Sequence, residues 1–372
     1  MTVEAVPMLD DTGKRIEEEE LKRMHVTMQT LGRISIIGGS ALVAGLGGWL
    51  AKTLSYQVMY EVALGIPVMS VLRLTLGQLN LRLRRLRMER QGIAEAEISR
   101  SLQQDHPAVK PNYHILGGSV VFVLLSLLLG LSNFHFKKEA IFLGSLTVIC
   151  YLMHSIMKGL DPQKKREIVG IAIIIFVFRA MPTIGAGASW WQIDVLHFDE
   201  AFFGTLRQIS SILAIIGLFA LRGWMSRSPI PYLVVFLSVY STVMMLPFVG
   251  MFYGLHEWTE ANFGFGAHAI AIIDTMADSP LGQVMMVPML ALIAREAPAD
   301  QKATYFAVMA AFTNLALSAS NLLTSYFNRI FIVKRDDFSE LGVLMIAVMI
   351  TSLLLPLITV LLVKAWRQKS AG

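Results

Sequence analysis

The chain has 372 residues, of which 55% are hydrophobic and 16% charged, with a mean hydropathy of +0.58. A soluble chain of this length carries nearer a quarter charged residues, so a soluble globular domain is excluded. The net charge of +5 does not mark a nucleic-acid binder, because the basic residues gather at alternate loops rather than on one surface.

The apolar residues fall in runs of about 18–30, and about 20 are needed to cross a bilayer core. Inside lipid each backbone polar group must be satisfied within its own segment, so such runs are helices. Spanning strands would be about half as long and would alternate in polarity. The expected fold class is all-α: a polytopic integral membrane protein with about ten transmembrane helices.

In chain order, the first thirty residues are strongly charged, with Glu17 to Glu20 in a row, and do not read as a cleavable signal. Spans follow at about 34–51, 56–77, 115–132, 139–157, 168–190, 203–222, 231–251, 264–294, 303–330 and 341–363. The stretch from about 78 to 113 is the one long polar interruption, a basic cytoplasmic linker between two helical bundles. Its run from Arg82 to Arg90 reads as a solvated helix end near anionic headgroups. Aromatic residues are absent around it, which excludes a nucleic-acid stacking surface.

Placing the N-terminus in the cytoplasm puts roughly 23 of the 32 Lys and Arg on that side and about six opposite, among them Lys52, Lys137, Lys138 and Arg335. The expected location is therefore a multi-pass plasma (inner) membrane, with both termini cytoplasmic. Cys150 is the single cysteine and lies in an apolar run, so no disulfide framework exists. The histidines show no metal-ligand spacing, and no metal or cofactor is expected.

An internal echo links two points of the chain. Val6-Pro7-Met8-Leu9 recurs as Val287-Pro288-Met289-Leu290, each followed by a charged turn and a helix rich in small residues. Repeated halves are a feature of secondary transporters, whose binding sites form where the halves meet. The start of the chain reads like the tail of a helix already in progress. Two readings stay open: helices that precede residue 1 in a longer version, or a separate partner subunit.

Ionisable groups at mid-bilayer depth are costly and so mark function by default. Arg179 lies near the middle of the fifth span and Asp274 near the middle of the eighth. Asp278 is one turn further on the same face, because i and i+4 stack. Asn314 is central in the ninth span, and Arg207 and Glu61 lie nearer the outer rim. One expectation is a common aqueous cavity, in which Asp274 and Asp278 exchange a proton and Arg179 holds an anionic group with its guanidinium fork. The other is an Arg–Asp pair that only joins helices. The eighth span is too long for the bilayer and contains Pro280 and Gly282 directly after Asp278. Pro182, with Gly185 and Gly187, follows Arg179 in the same way. Proline kinks a helix and frees carbonyls, so these positions are candidate gating kinks, or simple packing.

These residues resemble a known family. Phe198 to Arg207 (FDEAFFGTLR), the eighth span with Asp274, Gly282, Gln283 and Pro288, Ala297-Pro298, Ala303 to Ala307 (ATYFA) and Asn314-Leu315 are similar to the folate–biopterin transporter family of the major facilitator superfamily. The resemblance covers about half the chain, with Lys302 where relatives usually have Glu. It implies that Gln283, Arg207 and Asn314 join Arg179 in contacting solute. It also implies a partial N-terminal bundle at 1–77, an extra helix pair at 114–158 and a C-terminal six-helix bundle at 168–364. The implied activity is secondary transport by alternating access of a small anionic, pterin- or folate-like solute, coupled to protons.

Two further readings remain. One is a non-transporting remnant or helical partner subunit. The other is a membrane-embedded enzyme, although neither a Gly-x-Gly-Asp nor a His-Glu-x-x-His string occurs.

Overall fold

The computed structural model describes residues 17–53, 55–90, 113–157, 160–282, 284, 286–296 and 302–369. Fourteen α-helices and one 3₁₀ turn are found among them, and no strand. The chain divides into two compact units, residues 38–116 and residues 1–37 with 117–372.

α1 (Glu18–Thr53) crosses the division between the units. It begins well before the apolar run that predicts it. His25, Val26, Gln29 and Thr30 are buried, and their i, i+4, i+5 spacing gives the charged first turns an inward face. The smaller unit holds α2 (Tyr56–Ala63) and α3 (Gly65–Arg90), joined at Leu64, whose N–H donates to the Tyr60 carbonyl at 3.1 Å. α3 runs through the first third of the expected linker, because Leu79, Leu83 and Leu86 continue the helical spacing between the arginines. Residues 91–112 lie outside the described part. α4 (Tyr113–Leu131) straddles the division.

The larger unit continues with α5 (Lys137–Ile156), α6 (Pro162–Arg179) and α7 (Ala186–Asp194). It then runs through α8 (Glu200–Arg227), α9 (Ile230–Phe252), the short α10 (Leu255–Phe263) and α11 (Ala267–Asp278). A 3₁₀ turn (Ser279–Leu281) leads to α12 (Met286–Glu296), α13 (Lys302–Ile330) and α14 (Leu341–Lys369). Asp161 caps α6 by accepting from the Gln163 N–H at 3.0 Å, with Pro162 at the first helical position. Asp199 caps α8 by accepting from Phe202 at 2.7 Å.

Among the described residues five helices are long and apolar enough to cross a membrane, within Lys137–Ile156, Ala201–Arg227, Ile230–Phe252, Ala307–Ile330 and Leu341–Gln368. Only 6% of the α5 window and 17% of the α14 window is buried inside the protein. Their apolar surface is therefore left for lipid; a water-soluble fold does not expose contiguous apolar faces of this size. The protein is an all-α polytopic membrane protein, as its composition predicts.

The expected fifth and eighth spans are each broken in two. α6 ends at Arg179 and α7 starts at Ala186; α11 ends at Asp278 and α12 starts at Met286. The larger unit has two separate hydrophobic cores. One gathers Ile171, Ile175, Leu218, Met225, Leu233 and Met289. The other gathers Trp191, Phe198, Met251, Leu341, Leu344 and Met345. The first break lies between Phe178 of the first core and Ile184 of the second, and the second break packs into the first core through Leu281 and Val284.

Candidate functional site

Extended backbone at membrane depth persists only where other groups satisfy it. At the first break α13 supplies those groups. Ser320, Thr324 and Asn328 follow one another at i, i+4 and i+8, hence on one face. The Ser320 hydroxyl donates to the Met181 carbonyl at 2.6 Å, the Thr183 N–H donates to Thr324 Oγ1 at 2.9 Å, and Asn328 Nδ2 donates to the Ile184 carbonyl at 3.1 Å. Gly185 has φ 83°, and a side chain there would meet Asn328 Nδ2 at 3.1 Å; both facts require glycine. Beside this ladder Ala180 packs on Ala316 and Ala319.

The second break is held from α8 and α9. The Tyr240 hydroxyl donates to the Ala277 carbonyl at 2.7 Å. Gly217 of α8 lies against Pro280, whose backbone leaves no space for a side chain. Gly282 is different: it is exposed, with φ −57°, and a side chain there would make ordinary contact with the Ser279 carbonyl at 3.5 Å. The glycine that this break depends on is Gly217.

A cavity of about 340 Å³ opens where the two breaks meet α9 and α14. Its wall comprises Pro182, Thr183 and Ile184 from the first break, Asp274 and Asp278 from α11, Ser241, Thr242, Met244, Met245 and Phe248 of α9, and Val348, Met349 and Ser352 of α14. Ile184, Met245, Phe248, Val348 and Met349 of this wall belong to the second core, so the cavity lies against that core. Asp274 is partly buried, and its Oδ1 has no hydrogen-bond partner. Asp278 is exposed. The chamber combines two carboxyl groups and hydroxyls with methionine and Phe248, the mixed lining of a small-molecule site.

The structure brings together Asp274, Asp278 and Pro182, with Pro280 in the turn just beyond. Arg179 is not in the wall. It ends α6, where its charge suits the helix C-terminus, and its Nη1 donates to Met286 Sδ at 2.9 Å. Among the described residues Arg179 pairs with no carboxylate and does not line the cavity that holds Asp274 and Asp278. Arg207 on α8 and Asn314 on α13 are exposed and do not line the cavity, and Glu61 is exposed in the smaller unit. Gln283 lies outside the described residues.

Sequence reasoning missed the Ser320/Thr324/Asn328 ladder, although its four-residue spacing in an apolar helix was the signal. It also missed Tyr240 and Gly217, which only the fold identifies. Asp194 has a different role: Arg335 donates to it through Nε at 3.0 Å and Nη2 at 3.2 Å. That hydrogen bonding and the carboxylate charge hold the Arg335 guanidinium above its ordinary pKa.

Broken helices beside a cavity of mixed lining, together with long apolar helices turned outward, define a polytopic membrane protein with a pocket of small-molecule size. The model of the BT1 family matches residues 16–370, and the chain belongs to that family. The match bears out the folate–biopterin transporter resemblance read from FDEAFFGTLR and the later stretches. The chain is similar to a folate-biopterin transporter of Synechocystis sp. (strain ATCC 27184 / PCC 6803 / Kazusa), with 25% identity over 197 residues. That stretch is 51% of this chain and 38% of the relative's length. No solved structure matches.

Proposed function

We propose that this protein is a secondary transporter of a small organic anion of the folate or pterin type. In this reading the Asp274/Asp278 cavity is the proton-coupling chamber. The observation that carries it is one cavity walled by the first helix break and by the two carboxyl groups of the helix that ends at the second. Discontinuous helices at mid-depth are how transporters build coupling sites, and a carboxyl with an unpaired oxygen beside a second carboxyl is suited to take and release a proton. The family and the named relative support the solute class.

Alternating access would move the segments on either side of the breaks, with Pro182 and Pro280 as fixed kinks. Arg179, Arg207, Asn314 and Gln283 would contact solute from outside the described chamber wall, and both termini would face the cytoplasm. The test is uptake of folate and of biopterin into proteoliposomes of the full chain, with and without an inward proton gradient. Uptake that rises with the gradient supports the reading. Absence of flux for both solutes overturns it and favours a partner-subunit role.

A further inference from the structure

The first half of α1 carries a polar face that the coupling chamber does not use. Gln29 and Arg33 stand at i and i+4 and so stack on one side of the helix. Gln29 is 5% exposed and its neighbour Thr30 1%, so this side is inside the larger unit. Gln29 Nε2 and Arg33 Nε are buried without a hydrogen-bond partner, and so is Arg179 Nε on α6. Val26 and Ile171, two turns earlier on the same two helices, line one cavity.

Each of these atoms is a donor, and a guanidinium has no acceptor to offer in return. The partner found for Arg179 is a thioether, a weak acceptor. Among the described residues no carboxylate pairs with either arginine. Buried cationic donors left unmatched are costly, and an arriving oxyanion removes that cost.

We infer that Gln29, Arg33 and Arg179 form an oxyanion subsite that binds a carboxylate of the transported solute, apart from the Asp274/Asp278 chamber. The inference deepens the transport reading above and rests on it for the word "transported". Two guanidiniums select a carboxylate-bearing solute, folate-like, over an uncharged pterin. Val26, one turn before Gln29, lines a cavity of about 290 Å³. At its rim Arg367 meets Glu167 at 3.5 Å.

The probe is p-aminobenzoylglutamate, the carboxylate half of folate, titrated calorimetrically into the purified full chain. Arg33→Gln is expected to weaken binding about ten-fold or more, the loss of one charge-assisted hydrogen bond. A wild type that does not bind the probe, or an Arg33→Gln variant that binds it equally well, overturns the inference. In the unmodified chain the probe should protect Arg33 and Arg179 from phenylglyoxal, read by peptide mass spectrometry. Equal labelling with and without the probe overturns the inference without relying on any variant. Flux separates the two readings: folate uptake unchanged by Arg33→Gln removes the subsite and leaves transport, whereas probe binding without flux removes transport and leaves the subsite.

Discussion

Pro280 rests directly on Gly217: a methyl group at position 217 would meet the Pro280 Cα at 2.6 Å and its carbonyl carbon at 2.7 Å. The obstacle is backbone rather than a side chain that can rotate away. The break next to Asp278 is therefore seated in a notch on α8, and the notch exists because residue 217 has no side chain.

Gly217→Val should destabilise the protein by more than the about 1–3 kcal/mol usual for overpacking, since main chain must move. Gly282→Ala, where ordinary space is available, should stay within about 0.5 kcal/mol of wild type. Thermal unfolding of both variants in one detergent measures the difference. Equal melting temperatures would show that α8 and the turn do not meet as described.

The α13 ladder yields a second prediction. Asn328→Leu leaves the Ile184 carbonyl without its partner, and a buried unsatisfied carbonyl costs about 1–3 kcal/mol. Asn321→Ala, on an exposed position of the same helix, should be near neutral. Denaturation in detergent compares them, and the ladder is contradicted if the two variants unfold together.

Cys150 tests the membrane reading of α5. It is exposed at the protein surface in a helix whose apolar window is almost wholly turned outward. In proteoliposomes a charged, membrane-impermeant maleimide should not label it, because neither the reagent nor the reactive thiolate is present in hydrocarbon, and the same reagent should label it once the protein is unfolded in detergent. Rapid labelling by the charged reagent would place this face of α5 in water.

Much of the architecture was legible in the sequence because a bilayer permits few solutions. Long apolar runs had to be helices, and the ends of α5, α9 and α14 fall close to the runs that predict them. The juxtaposition of Asp274 and Asp278 was also legible, since positions i and i+4 share a helix face, and both side chains reach the same cavity. The error concerned Arg179. Depth along the helix axis placed it level with Asp274, but depth says nothing about direction around the bundle. The break at Met181–Gly185 turns the chain so that Pro182 reaches the chamber while Arg179 points to Met286. Pro182, Gly185 and Gly187 marked a kink in the fifth span, but Trp190 and Trp191 continue the hydrophobic run past it, so the full break into two helices was not legible. Gly217 was hidden for a related reason, because small residues are common in membrane helices and only the Pro280 backbone identifies this one as required.

Proton coupling through the Asp274/Asp278 chamber is tested most directly by comparing driven uptake with exchange in Asp274→Asn proteoliposomes. Loss of a protonatable group should remove the step that ties solute movement to the gradient while the chamber keeps its shape. Gradient-driven folate uptake is predicted to fall at least about ten-fold, the effect of one essential interaction of about 1.4 kcal/mol, while folate–folate counterflow persists. Driven uptake equal to wild type, with counterflow also unchanged, would contradict the assignment of Asp274 to coupling.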